Sequence, residues 1–228
     1  MESVSGHRPT TLVVGPWLEF LSVARTLSRR GEQVALMSRS EIRLQQLRTQ
    51  MEGEGVPCQS FAADVTEPDS VLKAFTKLSQ WSPRLDRLIY NKTAVSSEQA
   101  VQLTESELHR VMSVHLFGFV NCFQFAHPML KRNGGGTAII VTGGPTVPPA
   151  QSGVAQEVSR AALRIYAAAL RKELLRENIF ICELLLGRVS EREGARDLRP
   201  EEIAAGLLHV VDHRPDRYVL GRLSAVAE

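Results

Sequence analysis

Thr10-Thr11-Leu12-Val13-Val14-Gly15-Pro16 carries a short apolar strand into a glycine, and the apolar period changes immediately afterwards. From Pro16 to Arg30, Leu18, Leu21, Val23, Ala24 and Leu27 recur at helical spacing until Gly31 closes the stretch. Gln33 to Met37 is then a second strand. Strand, helix and strand in that order predict a parallel pair joined by a helical crossover.

The alternation continues along the chain. A helix over Glu41–Met51, with Leu44, Leu47 and Met51 on one face, precedes a strand at Val56–Ala62. A helix at Ser70–Leu78 precedes a strand at Leu85–Tyr90. The longest helix is expected from Thr104 to about Leu130, opened by Thr104 and Glu107 at the spacing of a capping box. Ala138–Val141, Ile179–Leu186 and Tyr218–Leu220 read as strands, with helices at about Gly153–Arg176 and Pro200–Val211. The expected fold is α/β: a Rossmann-like, doubly wound parallel sheet of about seven strands with helices on both faces. No repeat, linker or low-complexity tract interrupts it, so residues 1–228 are read as one domain.

Bulk composition narrows the classes. Of 228 residues, 43% are hydrophobic and 23% charged, which is ordinary for a soluble globular chain. The 27 Lys and Arg against 25 Asp and Glu leave a net charge of +2, which gives no ground for a nucleic-acid footprint. No stretch approaches the ~20 apolar residues of a membrane span. Met1–Pro9 is polar and lacks the apolar centre of a secretory signal. Cys58, Cys122 and Cys182 are widely spaced, and the last two lie in apolar runs. Free thiols and a reducing compartment, by default the cytoplasm, are expected.

Several markers occur in one order. Leu12-Val13-Val14-Gly15 enters a helix; Ser38-Arg39 follows the second strand and Ala63-Asp64-Val65-Thr66 the third; Asn91 follows the fourth. With the closing Pro200-Glu201-Glu202-Ile203-Ala204 and Tyr218-Val219-Leu220-Gly221, the chain resembles the short-chain dehydrogenase/reductase family over nearly its whole length. That resemblance implies a nicotinamide dinucleotide site. Gly15 is the first of three family glycines at the pyrophosphate; Glu19 and Leu21 stand at the other two, and Glu19 sets a negative charge against the phosphates. Pro16, Trp17 and Phe20 add bulk, so a strand–helix turn packed by its own side chains is the competing reading. Arg39 stands where NADP-preferring members bind the 2′-phosphate, or it is a solvated residue at a helix start. Asp64 and Val65 match the family's Asp-Val pair at the adenine, although Thr66 or Asp69 capping the next helix would explain the same run. Leu185-Leu186-Gly187-Arg188-Val189 falls where a Pro-Gly loop frames the nicotinamide, with Gly187 kept.

The implied catalytic set is replaced throughout. His115 stands at the family's Asn, Gly143 at its Ser, and Gln156 and Arg160 at its Tyr and Lys. The spacing of Gln156 and Arg160 puts both on one helix face, but a primary amide has no proton to give near neutral pH. Arg160 is no better as an acid. Thr142, next to the serine position, should point to the other side of its strand. His115 titrates in the useful range and is the alternative: an NADP-dependent carbonyl reductase or alcohol dehydrogenase with a relocated acid. A histidine among apolar helix residues is otherwise a satisfied core residue.

The expectation is therefore a degenerate family member, non-catalytic or cofactor-sensing, that binds NADP(H) weakly or no cofactor. The resemblance also implies a homodimer or homotetramer through the helices at Thr104–Leu130 and Gly153–Arg176, or a hetero-oligomer with an active relative. Val111, Met112, Val114, Leu116, Phe117, Phe119, Val120, Cys122, Phe123 and Phe125 make the first apolar on more than one face. Coverage of both faces within the monomer is the competing reading.

Overall fold

The computed structural model describes residues 8–16, 20–143, 153–187, 189–191, 194–196 and 198–221. The first unit is β1 (Thr10–Val14), α1 (Phe20–Arg29) and β2 (Gln33–Ser38). It continues through α2 (Glu41–Gly53), β3 (Cys58–Ala62), α3 (Pro68–Trp81) and β4 (Arg87–Tyr90). After α4 (Glu105–Met112), α5 (Gly118–Arg132) and β5 (Gly136–Gly143) come α6 (Val154–Leu174), β6 (Ile179–Leu186) and the short strands β7 (Val189–Glu191) and β8 (Gly194–Arg196). α7 (Pro200–His213) and β9 (Arg217–Leu220) end the described fold.

Seven strands form one parallel sheet in the order β3-β2-β1-β4-β5-β6-β9. Alternating side chains feed two cores, as the pleat requires. In β1, Leu12 and Val14 join α3, α5 and α6 on one face, while Val13 joins α1, α2 and α7 on the other. β5 divides in the same way, with Ala138 and Ile140 on the first face and Ile139 and Val141 on the second. The expected doubly wound sheet is present. Its strand order reverses between β1 and β4, so a crevice opens beyond their carboxyl ends.

Two expected elements differ. The long helix foreseen from Thr104 to Leu130 is interrupted by a π-type turn at Ser113–Phe117, where the Gly118 N–H bonds the Ser113 carbonyl. Such a turn inserts a residue into the helical repeat and changes which side chains face the core. Apolar residues on both sides of the break hide it from a periodicity argument. The paired strands β7 and β8, antiparallel to each other, were not foreseen: three-residue strands have no detectable alternation. Thr104 caps α4, its hydroxyl accepting from the Glu107 N–H. Neither Thr66 nor Asp69 caps α3; Glu67 stands at the cap without a side-chain bond, and Pro68 begins the helix.

The apolar circumference of the two long helices is largely covered within the monomer. Val111, Phe119, Cys122 and Phe123 are buried, and Phe119 lies against Tyr90, Phe123 and Tyr166. Phe119 therefore does not belong to an intersubunit face. What remains outside is Phe117 with Val158, Ala161, Ile165 and Ala169 along α6. No described helix is long and apolar enough to cross a membrane. Cys122 and Cys182 are buried free thiols, and Cys58 is half-buried.

Candidate functional site

The crevice is built from the ends of strands. Gly15 follows β1 with φ +76°, and a β-carbon there would come within 2.2 Å of the Asn91 carbonyl oxygen. Only glycine fits this approach of two backbones. Asn91 fastens the turn, its N–H donating to Val14 O at 2.9 Å and its Nδ2 to Gly15 O at 3.2 Å. The other two phosphate-turn positions divide: Leu21 is buried in the core, and Glu19 lies outside the described residues, as does Trp17.

Arg39 and Asp64 meet at the ends of β2 and β3, 3.6 Å apart. Burial pushes the Asp64 carboxyl up, but the Thr66 N–H and hydroxyl, then Arg39 and Lys92, outweigh it and hold the group below the usual range. Thr66 is thus Asp64's partner rather than a helix cap. Val65 is buried; its carbonyl accepts from Asn121 Nδ2 at 2.9 Å, and its side chain closes on Gly118, where a β-carbon would meet it at 2.7 Å.

Three of the four positions expected for the family's catalytic set, His115, Gly143 and Arg160, meet at one cavity, and Gln156 does not line it. Tyr90, Asn91, Lys92, Thr93, His115, Thr142, Gly143, Arg160 and Leu186 are among the residues lining a cavity of about 250 Å³. Thr142, expected to face away, borders it too, because the cavity sits at the tip of β5 where both sides of the pleat open onto it. Gly187 follows Leu186 and is tied by its N–H to Leu220 O at 2.8 Å. Arg160 is ion-paired with Glu157 at 2.9 Å, and its guanidinium lies 3.4 Å from where a β-carbon on Gly143 would be. A larger groove of about 1070 Å³ runs between α2 and α3 beside β3, but none of these positions borders it.

His115 and Gln156 are brought close, and both are engaged. His115 is held in the π-type turn, which Tyr90 buttresses by donating its hydroxyl to Val114 O at 2.5 Å. The His115 Nε2 accepts from the Ala94 N–H at 3.0 Å, so the ring proton is on Nδ1. Nδ1 donates to Ser159 Oγ at 2.6 Å, and Ser159 passes its own proton to Gln156 O at 2.9 Å. Burial, then the charge of Arg160, depress the imidazole to about 4. In this arrangement the ring is neutral near pH 7 and both of its nitrogens are engaged by protein groups.

The Gln156 Oε1 accepts from the Ser96 N–H at 3.3 Å. The Ser96 carbonyl in turn accepts from the Gly153 N–H at 2.7 Å, and Arg110 reaches Val95 O at 2.6 Å. The segment after β4 is thereby tied across the start of α6. Sequence reasoning missed Ser159, Ala94 and Ser96 as members of this network. Ser159 offered a signal, a polar residue three positions from Gln156 on the same helix; backbone donors offer none.

The chain matches the short chain dehydrogenase family over residues 21–202. It belongs to that family. A fatty acyl-CoA reductase of Acinetobacter baylyi is 24% identical over 219 residues, covering 90% of this chain and 74% of that one. An NADPH-dependent 1-acyldihydroxyacetone phosphate reductase of Schizosaccharomyces pombe is 27% identical over 142 residues, 61% of this chain and only 47% of that enzyme. Among solved structures, the L-sorbose reductase of Gluconobacter frateurii, complexed with NADPH and L-sorbose, superposes with a TM-score of 0.83 at 19% identity, over 96% of this chain and 98% of that one. Similarity to a short-chain dehydrogenase fold is thus present across the sheet and both helical layers.

Proposed function

We propose that this short-chain dehydrogenase family member binds NADP(H) weakly, does not transfer hydride, and works as a partner in an oligomer. The observation that supports this reading is the use of His115 and Gln156. Each stands where the family resemblance puts a catalytic side chain, and each accepts a backbone N–H from residues 94–96, His115 through Nε2 and Gln156 through Oε1, while His115 Nδ1 is held by Ser159. Gly143 carries no hydroxyl, and Arg160 is paired with Glu157. Reduction of a carbonyl requires an acid beside the developing alkoxide, and none of these four groups supplies one.

NADP(H) is favoured over NAD(H). The largely solvent-exposed Arg39 guanidinium stands beside Asp64 at the ends of β2 and β3. Arg39 would hold the 2′-phosphate and Asp64 the adenine, with Val65, Asn91 and Gly187 framing the cleft. When bound, the cofactor supplies a hydride, and the residues here supply no proton to accompany it. Two relatives carry NADPH in their descriptions, which supports the same preference. Calorimetric titration should find NADPH binding weaker than micromolar and NADH weaker still. Arg39→Ala should cost NADPH about 10- to 100-fold, the worth of a charge-assisted contact, and leave NADH unchanged. Micromolar or tighter NADH binding that ignores Arg39→Ala would contradict the assignment.

The exposed stripe of Val158, Ala161, Ile165 and Ala169 on α6 is the proposed self-complementary contact of a homodimer or homotetramer, or the contact with an active relative. Ile165 is 74% exposed, so a charge there does not disturb the core. Light scattering should show an oligomer that Ile165→Glu converts to monomer with an unchanged circular dichroism spectrum. A wild-type monomer that persists at high concentration would refute self-association.

A further inference from the structure

Lys92 leaves the end of β4 and turns sideways along the carboxyl edge of the sheet. Its Cδ lies 3.0 Å from where a β-carbon on Gly15 would stand, so its stem packs against the turn that ends β1. Neighbouring strands are about 4.8 Å apart, and β1 lies between β4 and β2. A stem that reaches the end of β1 from β4 leans in the direction of β2 and β3. There it comes under the charges of Arg39 and Asp64. Burial first, then Arg39, lowers its pKa, and Asp64 works in the opposite direction. Asp64 is already paired with Arg39 and bonded to Thr66, so Lys92 shares that carboxylate instead of owning it.

Ligands of doubly wound sheets lie in the crevice beyond the strand ends on either side of the reversal in strand order, and their pyrophosphate passes the turn after the first strand. In this protein that path runs from Gly15 toward Asp64, and a four-carbon stem lies across it. We propose that Lys92 is an internal occupant of the crevice at the Gly15 turn, which a dinucleotide must displace, so that this one side chain limits the affinity for NADP(H). The inference rests on the reading that the cleft takes NADP(H). The obstacle is the stem, which covers the Gly15 turn whatever its charge; the ammonium adds the cost of leaving the neighbourhood of Asp64.

Titration calorimetry on the full chain separates the possibilities, using NADPH, adenosine 2′,5′-bisphosphate and nicotinamide mononucleotide as probes. Lys92→Ala should bind NADPH and the bisphosphate about tenfold tighter or more, and the mononucleotide should gain less than either. Lys92→Met, which keeps the stem and loses the charge, should stay much closer to wild type than Lys92→Ala does. Thermal melts of both variants should match the wild type, since Lys92 is only half-buried. Unchanged or weaker NADPH binding by Lys92→Ala would overturn the inference, because the lysine would then be neutral or a phosphate ligand. If wild type binds no NADPH and Lys92→Ala does, the inference stands and the reading of the wild type as a weak binder falls. If neither protein binds, both fall.

Discussion

Replacing Phe119 with alanine is expected to destabilise the protein by about 3–5 kcal/mol, the range for removing a fully buried aromatic side chain. Its ring is 0% exposed and packs edge-on against Tyr90 at 5.4 Å, stacked on Phe123 at 5.5 Å and edge-on against Tyr166 at 6.2 Å between centroids. Tyr90 also buttresses the turn that carries His115, so the cavity would loosen the site as well as the core. Gly118, next in the chain, lies so close to the Tyr90 hydroxyl and Val65 that this region cannot collapse freely onto the space left behind. Urea unfolding of the wild type and Phe119→Ala checks the figure. A loss below about 1 kcal/mol would show that the layer between α5 and the sheet is not packed as described.

The second large effect is pH-dependent stability centred on His115. Its imidazole falls from the usual 6.5 to about 4 in the fold. Because the folded value is the lower one, the unfolded chain takes up the proton first. The stability tied to neutral His115 is present above pH 6.5 and is lost as pH falls through about 4. A separation of about 2.5 units corresponds to ~3 kcal/mol. His115→Asn has nothing to titrate there and should lack this component. Urea unfolding of both proteins from pH 7.5 to pH 4 isolates it, since carboxylates common to the two cancel. Glu32, whose carboxyl burial pushes upward despite its Arg87 partner, favours the folded state at low pH and drops out of the comparison in the same way. Identical pH dependence in the two proteins would refute the buried, neutral His115.

The sheet was legible because β1, β5 and β6 are apolar on both faces and each is followed by a change of period. The break at Ser113–Phe117 was not, since a helix with apolar residues around most of its circumference reads the same across a shift of register. The coverage of that helix by α3, α6 and the sheet also explains why Phe119 looked available to a partner and is not. At the site, His115, Gly143, Gln156 and Arg160 stood out only through the family resemblance, which implies other residues there. What those side chains do was invisible, because the partners of His115 and Gln156 include the backbone N–H groups of Ala94 and Ser96, and every residue but proline has one. Lys92 was visible as a mismatch beside Asn91, but the direction of its stem depends on the order β2-β1-β4, which local sequence does not encode.

We propose that the family scaffold persists here without its proton-transfer chemistry. Steady-state oxidation of NADPH by the purified chain, followed by absorbance against a panel of ketones, aldehydes and quinones at pH 7, tests it most directly. The rate should equal the enzyme-free background for every substrate and be the same for wild type and His115→Ala. Sustained turnover by the wild type that disappears in His115→Ala would contradict the account and restore a catalytic acid to this cleft.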